Sequence, residues 1–184
     1  VAVVKELIEN SIDARASKIK ISIEGGGISK IIVSDNGLGI ERKYIETSVG
    51  RHTTSKLNMR TLNNIITLGF RGEALHSISN ASEFTMISRT KYSSEAYELK
   101  VLFGKPLSIK PSKGNEGTYI KVENIFKNLP VRKKFLKSEN SESLAIRNFI
   151  KKISLAYPHI SFTLIEDKRA KLELIGRINN EKLK

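Results

Sequence analysis

The sequence predicts a two-layer α/β fold, a single sheet faced by helices. Three observations carry that expectation. Several runs place an apolar residue at every second position, as strands do; stretches with apolar residues three and four apart separate those runs into groups; and no internal repeat, low-complexity segment or linker divides the chain. With 184 residues, one domain covering 1–184 is expected, large enough to bury most of an apolar core.

The first element is a helix. In VVKELIENSIDA, Val4, Leu7, Ile8 and Ser11 to Ile12 recur at helical intervals, while Glu6 and Asn10 lie one turn apart with Asp13 on the same side. It should stop within 13–17. SKIKISIE then sets Ile19, Ile21 and Ile23 on one side of a strand, three glycines at 25–27 turn the chain, and SKIIVSD repeats the alternation at Ile31 and Val33. This is a hairpin whose loop exceeds the tight two-residue turn. DNGLGI follows at the strand end, and a short helix is expected around 42–47.

The next stretch, GRHTTSKLNMRTLNN, is poor in apolar residues through its first half and reads as an exposed loop. ITLGFRGEALHSISN carries a glycine-bounded turn at 69–72, then a helix from about Glu73. EFTMISRT and YELKVLF are successive strands joined through 92–95. LSIKPSKGNEGTYIKVENIF supplies another strand pair, of which Pro106 and Pro111 make the first short or confine it to an edge. Pro130 begins a helix in NLPVRKKFLK. A second helix over 141–157 carries Leu144, Ile146, Phe149, Ile150, Ile153 and Leu155, and HISFTLIED with AKLELIGR closes the chain as a hairpin around Asp167 and Lys168.

Phosphoryl chemistry is the function these residue types suggest. Glu6 could take a proton from an attacking water, and the Asn10 carboxamide oxygen could ligate Mg²⁺ beside phosphates; a solvated helix face would look the same. Asp35, a fixed acceptor at a strand end, could accept from the exocyclic amine of adenine while the backbone of Gly37 and Gly39 approaches the ring. DNG is also an ordinary turn. Arg51, His52, Thr53, Thr54, Ser55 and Lys56 could order around phosphate, and the backbone N–H groups where the Glu73 helix begins could bind an anion beside Arg71. Thr118, where a strand begins, could share contacts with Asp35.

Composition narrows the partners. The net charge of +13, from 32 Lys plus Arg against 19 Asp plus Glu, points to a polyanion, whether DNA, RNA or a nucleotide triphosphate. Arg132, Lys133, Lys134 and Lys137 form the densest basic run and are the DNA-binding candidates, expected to meet phosphates. Trp is absent and no aromatic platform interleaves the basic residues, which disfavours base stacking on single strands. With no cysteine, disulfides and thiol-held metals are excluded, and His52, His76 and His159 lack metal-ligand spacing. No apolar run approaches the roughly 20 residues of a membrane span, and no export signal is visible, so an intracellular setting is expected: the nucleus in a eukaryote, the cytoplasm and nucleoid in a prokaryote.

The ordered set KELIENSIDA, DNGLGI, RHTTSK, GFRGEALHSISN, GT and NLPVRKKFLK resembles the ATP-binding domain of the MutL/PMS mismatch-repair family, across nearly the whole chain. The acidic-Asn helix and DNG turn are common to the wider superfamily of gyrase, heat-shock chaperone, histidine kinase and MutL (GHKL) ATPases; GFRGEAL and PVRKKFLK are specific to the MutL-like branch. The resemblance implies an α/β sandwich of the GHKL ATPase type. A mixed, mainly antiparallel sheet is covered on one face by helices, and ATP sits between helices and sheet.

It also implies roles. Glu6 is the general base and Asn10 the Mg²⁺ ligand; Asp13, Asp35, Gly37, Gly39 and Thr118 belong to the nucleotide site. Arg51, Thr53, Thr54, Ser55 and Lys56 start an ATP lid whose phosphate-binding end is Gly69, Phe70, Arg71, Gly72, Glu73, Ala74 and Leu75. Arg15 departs from the pattern, standing where the family has glycine. An N-terminal arm and a following transducer domain with a γ-phosphate lysine are expected outside the stretch, which alone is expected to be able to exist as a monomer and to hydrolyse ATP slowly or not at all. Implied partners are DNA, a MutL-type homo- or heterodimer partner and a MutS-like mismatch-recognition protein. The alternative is a nucleotide- or DNA-binding module of a repair complex without turnover; GFRGEAL weighs against a topoisomerase-like or chaperone-like ATPase.

Overall fold

The structure, a computed structural model, describes residues 1–50 and 73–177. The lid candidates Arg51, Thr53, Thr54, Ser55, Lys56, Gly69, Phe70, Arg71 and Gly72 lie outside the described residues. Among the described residues, five α-helices and eight strands run in the order α1 (Ala2–Asp13), β1 (Lys18–Glu24), β2 (Lys30–Asp35), α2 (Arg42–Ile45), α3 (Ala74–Asn80), β3 (Glu83–Arg89), β4 (Ala96–Leu102), β5 (Lys105–Ser112), β6 (Gly117–Glu123), α4 (Pro130–Lys134), α5 (Glu139–Ala156), β7 (Ser161–Glu166) and β8 (Arg169–Leu174).

The strands form one sheet in the order β5-β4-β3-β6-β2-β1-β7-β8. Every pair is antiparallel except β1 with β7, so the sheet is mixed and mainly antiparallel as expected. Alternation decides its faces. Ile21 sits opposite Val33, Val33 opposite Ile120, Ile120 opposite Met86 and Met86 opposite Leu99, a continuous apolar row across the sheet. Val4, Leu7 and Ile8 of α1 and Ile146 and Ile150 of α5 pack into the same core as these rows, each fully buried. Burial of each such side chain contributes about 1.5–3 kcal/mol.

The neighbouring positions along each strand face the other way, and several of them are charged. There Lys30 Nζ lies 3.2 Å from Glu24 and 3.8 Å from Glu123, Lys121 meets Glu123 at 2.7 Å, and Lys110 meets Glu98 at 3.5 Å.

Two expectations need correction. β5 and β6, read as a strand pair, are not neighbours. Phe103 and Gly104, both at positive φ, turn β4 tightly into β5, which becomes the sheet edge; the chain then crosses back to insert β6 between β3 and β2. The edge position explains why Pro106 and Pro111 are tolerated, since prolines cannot donate to a second neighbour. The long helix starts at Glu139 and not at 141, because Ser138 is its N-cap: Ser138 Oγ accepts from the Ser141 N–H at 3.3 Å, with Glu139 and Glu142 in the first turn. Its outer face leaves Leu144 and Leu155 exposed. The final hairpin turns at Asp167 and Lys168, both at positive φ, as a two-residue loop of this kind requires.

Candidate nucleotide site

Helix α1 presents its polar stripe beside the buried one. Val4, Leu7, Ile8 and Ser11 are buried, whereas Glu6, Glu9, Asn10 and Asp13 are partly exposed. Glu9 joins the stripe unpredicted: its carboxyl is raised above the usual range by burial and by the like charges of Glu6 and Asp13, with Lys5, 3.8 Å away, opposing. The helix ends in a pair of crossed hydrogen bonds, Ala16 N–H to the Ser11 carbonyl at 3.1 Å and Arg15 N–H to the Ile12 carbonyl at 2.9 Å. Arg15 sits at φ 60°, the left-handed position that this termination requires. The local glycine-to-arginine departure therefore falls where a Cβ is least welcome.

The turn after β2 is the best-fixed feature of the site. Asp35 Oδ1 accepts from the Gly37 N–H at 2.9 Å and the Thr118 N–H at 3.2 Å, and Oδ2 accepts from Ser11 Oγ at 2.8 Å. Asn36 reaches the start of β1, accepting from the N–H groups of Ser17 (2.9 Å) and Lys18 (2.8 Å). Leu38 N–H donates to the Ala14 carbonyl at 2.9 Å, and Ile40 N–H to Ser88 Oγ at 2.8 Å. Ser88 in turn donates to the Gly117 carbonyl at 3.0 Å and lies 3.0 Å from Thr118 Oγ1. DNGLGI is thus tied to α1, β1, β3 and β6 at once.

Close backbone approach explains two of the glycines. At Gly39, φ 69°, a Cβ would strike the Arg89 carbonyl; at Gly117, φ 108°, it would strike the carbonyl of Asp35. Burial raises the Asp35 carboxyl above its ordinary 3.8, against the lowering effect of its bonds from Gly37, Ser11 and Thr118. Asp35 is therefore held by three donors yet stays less willing than an ordinary aspartate to carry charge.

Sequence reasoning selected Asp35, Gly37, Gly39 and Thr118, and the structure brings these together; α1 joins them through Ser11, next to Asn10. It missed Ser11, Asn36, Ser88 and Gly117. Ser11 and Ser88 did carry a signal, since each is a polar residue in the buried phase of an apolar pattern. Glu73 stands at the N-cap of α3, and Ala74 and Leu75 form its first turn, Leu75 packing on the core. The basic run lies elsewhere: Arg132, Lys133 and Lys134 are in α4, while Lys137 lies beyond the end of that helix.

Among the described residues no group of three His, Cys, Asp or Glu could hold a metal by itself. The donors on α1 are oxygens, which suit Mg²⁺ when substrate phosphates and water complete its shell. A separate cleft of about 250 Å³, lined in part by Glu46, Val49, His76, Ser79 and Asn80, does not include Asp35 or α1. Two of its polar side chains are engaged there: His76 Nδ1 lies 2.9 Å from the Val49 carbonyl and Asn80 Nδ2 lies 2.9 Å from His76 Nε2.

A family model described as histidine kinase-, DNA gyrase B-, and HSP90-like ATPase matches residues 1–111. The DNA mismatch repair protein MutL of Rickettsia prowazekii (strain Madrid E) is 46% identical over 176 residues, covering 96% of this chain and 30% of that protein. The protein of the same name from Bartonella bacilliformis is 44% identical over 178 residues, covering 97% of this chain and 29% of that protein. Among solved structures, the Aquifex aeolicus MutL ATPase domain complexed with ADP superposes with a TM-score of 0.80 at 34% identity, covering 98% of this chain and 65% of that one. The chain spans about 30% of the length of the curated relatives it matches.

Proposed function

Because the chain belongs to the family of histidine kinase-, DNA gyrase B- and HSP90-like ATPases, we propose that it is the ATP-binding and slowly hydrolysing domain of a MutL-like DNA mismatch-repair protein, with nucleotide state controlling dimerisation and engagement of DNA and protein partners. The observation that carries this reading is the Asp35 carboxylate, held by Ser11, Gly37 and Thr118 at the end of β2 beside the polar stripe of α1. An acceptor so fixed can read the adenine amine, and Gly39 and Gly117 keep the surrounding backbone close.

Glu6 is the general base that takes the proton of the attacking water. Asn10 supplies an oxygen to Mg²⁺, with Asp13 beside it. Mg²⁺, when bound, would offset phosphate charge during cleavage. Arg51, Thr53, Thr54, Ser55, Lys56, Gly69, Phe70, Arg71, Gly72, Glu73, Ala74 and Leu75 serve as lid and phosphate contacts, and Thr118 supports the adenine side. Arg132, Lys133, Lys134 and Lys137 contact DNA phosphates. An intracellular repair complex with a second MutL-type subunit and a MutS-like protein is the setting in which such a switch would act.

The test is a comparison of Glu6→Ala with its parent in a longer form of the protein that hydrolyses ATP. A base contributes mainly in the transition state, so the variant should bind ATP with Mg²⁺ as the parent does while hydrolysis slows roughly 10²- to 10⁴-fold. Calorimetric ATP titration and single-turnover hydrolysis read the two effects separately. An equal loss of ATP affinity would contradict the role given to Glu6.

A further inference from the structure

Helix α4 and the residue after it form an exposed arrangement that a charge count does not describe. Val131 and Phe135 are 69% and 82% exposed, and no residue of Pro130–Lys134 is buried. Arg132, Lys133, Lys134 and Lys137 make no ion pair among the described residues. The backbone stays helical through Phe135, whose N–H donates to the Arg132 carbonyl at 3.1 Å. At about 100° per residue, Val131 and Phe135 project to one side, with Arg132 on one flank and Lys134 on the other, while Lys133 turns away. Phe135 stands within the basic run and is 82% exposed, a single ring where no stacking platform was expected.

A water-exposed ring bracketed by two cations that make no ion pair among the described residues matches one strand of nucleic acid: a base covers the ring and the flanking phosphates meet the cations. We propose that Phe135, with Val131 beside it, is a stacking contact for an unpaired base of single-stranded DNA, and that Arg132 and Lys134 take the adjacent phosphates. This rests on the DNA-engagement reading above. Charge selects this occupant, since a bare apolar groove on a protein would leave both cations without partners.

The experiment uses the 184-residue chain with Phe135→Ala, Phe135→Trp, and a double Arg132→Gln, Lys134→Gln variant, each checked for fold by circular dichroism. Fluorescence anisotropy across a salt series measures binding to a labelled mixed-sequence single strand and to its duplex. Phe135→Ala should weaken single-strand binding about fivefold or more with an unchanged salt slope, and should affect the duplex less. Phe135→Trp should keep the affinity, and its emission should be quenched on binding. The double variant should flatten the single-strand salt slope by about 0.7 per cation.

A folded Phe135→Ala that binds single strands like the parent, or a Trp emission unmoved by DNA, overturns the proposal. If the double variant still flattens the slope, only stacking falls; if it too behaves as the parent, the DNA reading of this segment falls with it. Phosphatidylglycerol vesicles and light scattering cover the other occupants. Loss of vesicle binding or self-association in Phe135→Ala, with single-strand affinity intact, assigns the face to lipid or a second copy and overturns the proposal.

Discussion

Asp35 carries two opposing demands in one side chain. Reading an adenine amine calls for an acceptor, yet burial favours the protonated form and raises the carboxyl above 3.8. Between 3.8 and the raised native value, the folded chain holds a proton that the unfolded chain has released, so stability from this group falls as pH rises through that interval. Asp35→Asn removes the conflict and keeps an oxygen for the Gly37 and Thr118 N–H groups, while its amide can donate to Ser11. Denaturation midpoints across pH should show the variant losing less stability than the parent on going from acid to neutral pH. ATP binding should behave oppositely. Parent affinity should begin to decline on acidification above the pH expected of an ordinary aspartate, and Asp35→Asn should lose discrimination between ATP and GTP at every pH, as calorimetry with both nucleotides would measure. Unchanged discrimination would remove Asp35 from adenine recognition. The acceptor itself was legible in the sequence as DNG at a strand end; the partners of Ser11 and Ser88 were not, because Ser11 meets Asp35 only when α1 packs beside β2, and Ser88 meets Gly117 only when β3 lies beside β6.

At the scale of elements, α1 shows how a local fault can persist. Arg15 occupies φ 60° in the turn that ends the helix. A residue with a Cβ there costs roughly 1 kcal/mol relative to glycine, partly offset because glycine has more freedom in the unfolded chain. Arg15→Gly should raise stability by about 0.5 to 1 kcal/mol in urea denaturation, with an unchanged slope. A loss would mean that the Arg15 side chain contributes more than its backbone costs. The elements were legible wherever periodicity was strong, as in Ile19, Ile21 and Ile23 or in Phe162 and Leu164. Strand neighbours were less so. Periodicity shows which residues face the core but not which strand lies beside which, and the insertion of β6 between β3 and β2 is a tertiary choice. Ser138 as a helix cap had a sequence signal, a serine followed by acidic residues.

For the whole molecule, the net charge of +13 is spread unevenly. Ion pairs occupy the outer sheet face, whereas the α4 run keeps its cations unpaired among the described residues. Neutralising Lys133, Lys134 and Lys137 together should lower duplex affinity similarly for several sequences. It should also flatten the plot of log affinity against log salt, by up to about 0.9 for each phosphate that no longer meets a cation. An unchanged slope in a folded variant would exclude this run as the duplex-binding surface.

The strand order also governs how the chain reaches its shape in time. β2 cannot gain its second neighbour until Lys30 meets Glu123, and β1 cannot until Lys18 meets Ser161. Such distant pairings must close long loops before they return any stabilisation, which places folding in the slow, millisecond-to-second range for chains of this topology. During synthesis, β2 therefore waits with an open backbone edge while the rest of the chain emerges, a period in which a nascent copy is exposed to pairing with the wrong strand. Stopped-flow refolding should show the helical part of the far-UV signal arriving well before the signal of Trp introduced at Phe162 of β7, the strand that pairs with β1 across the longest stretch of sequence.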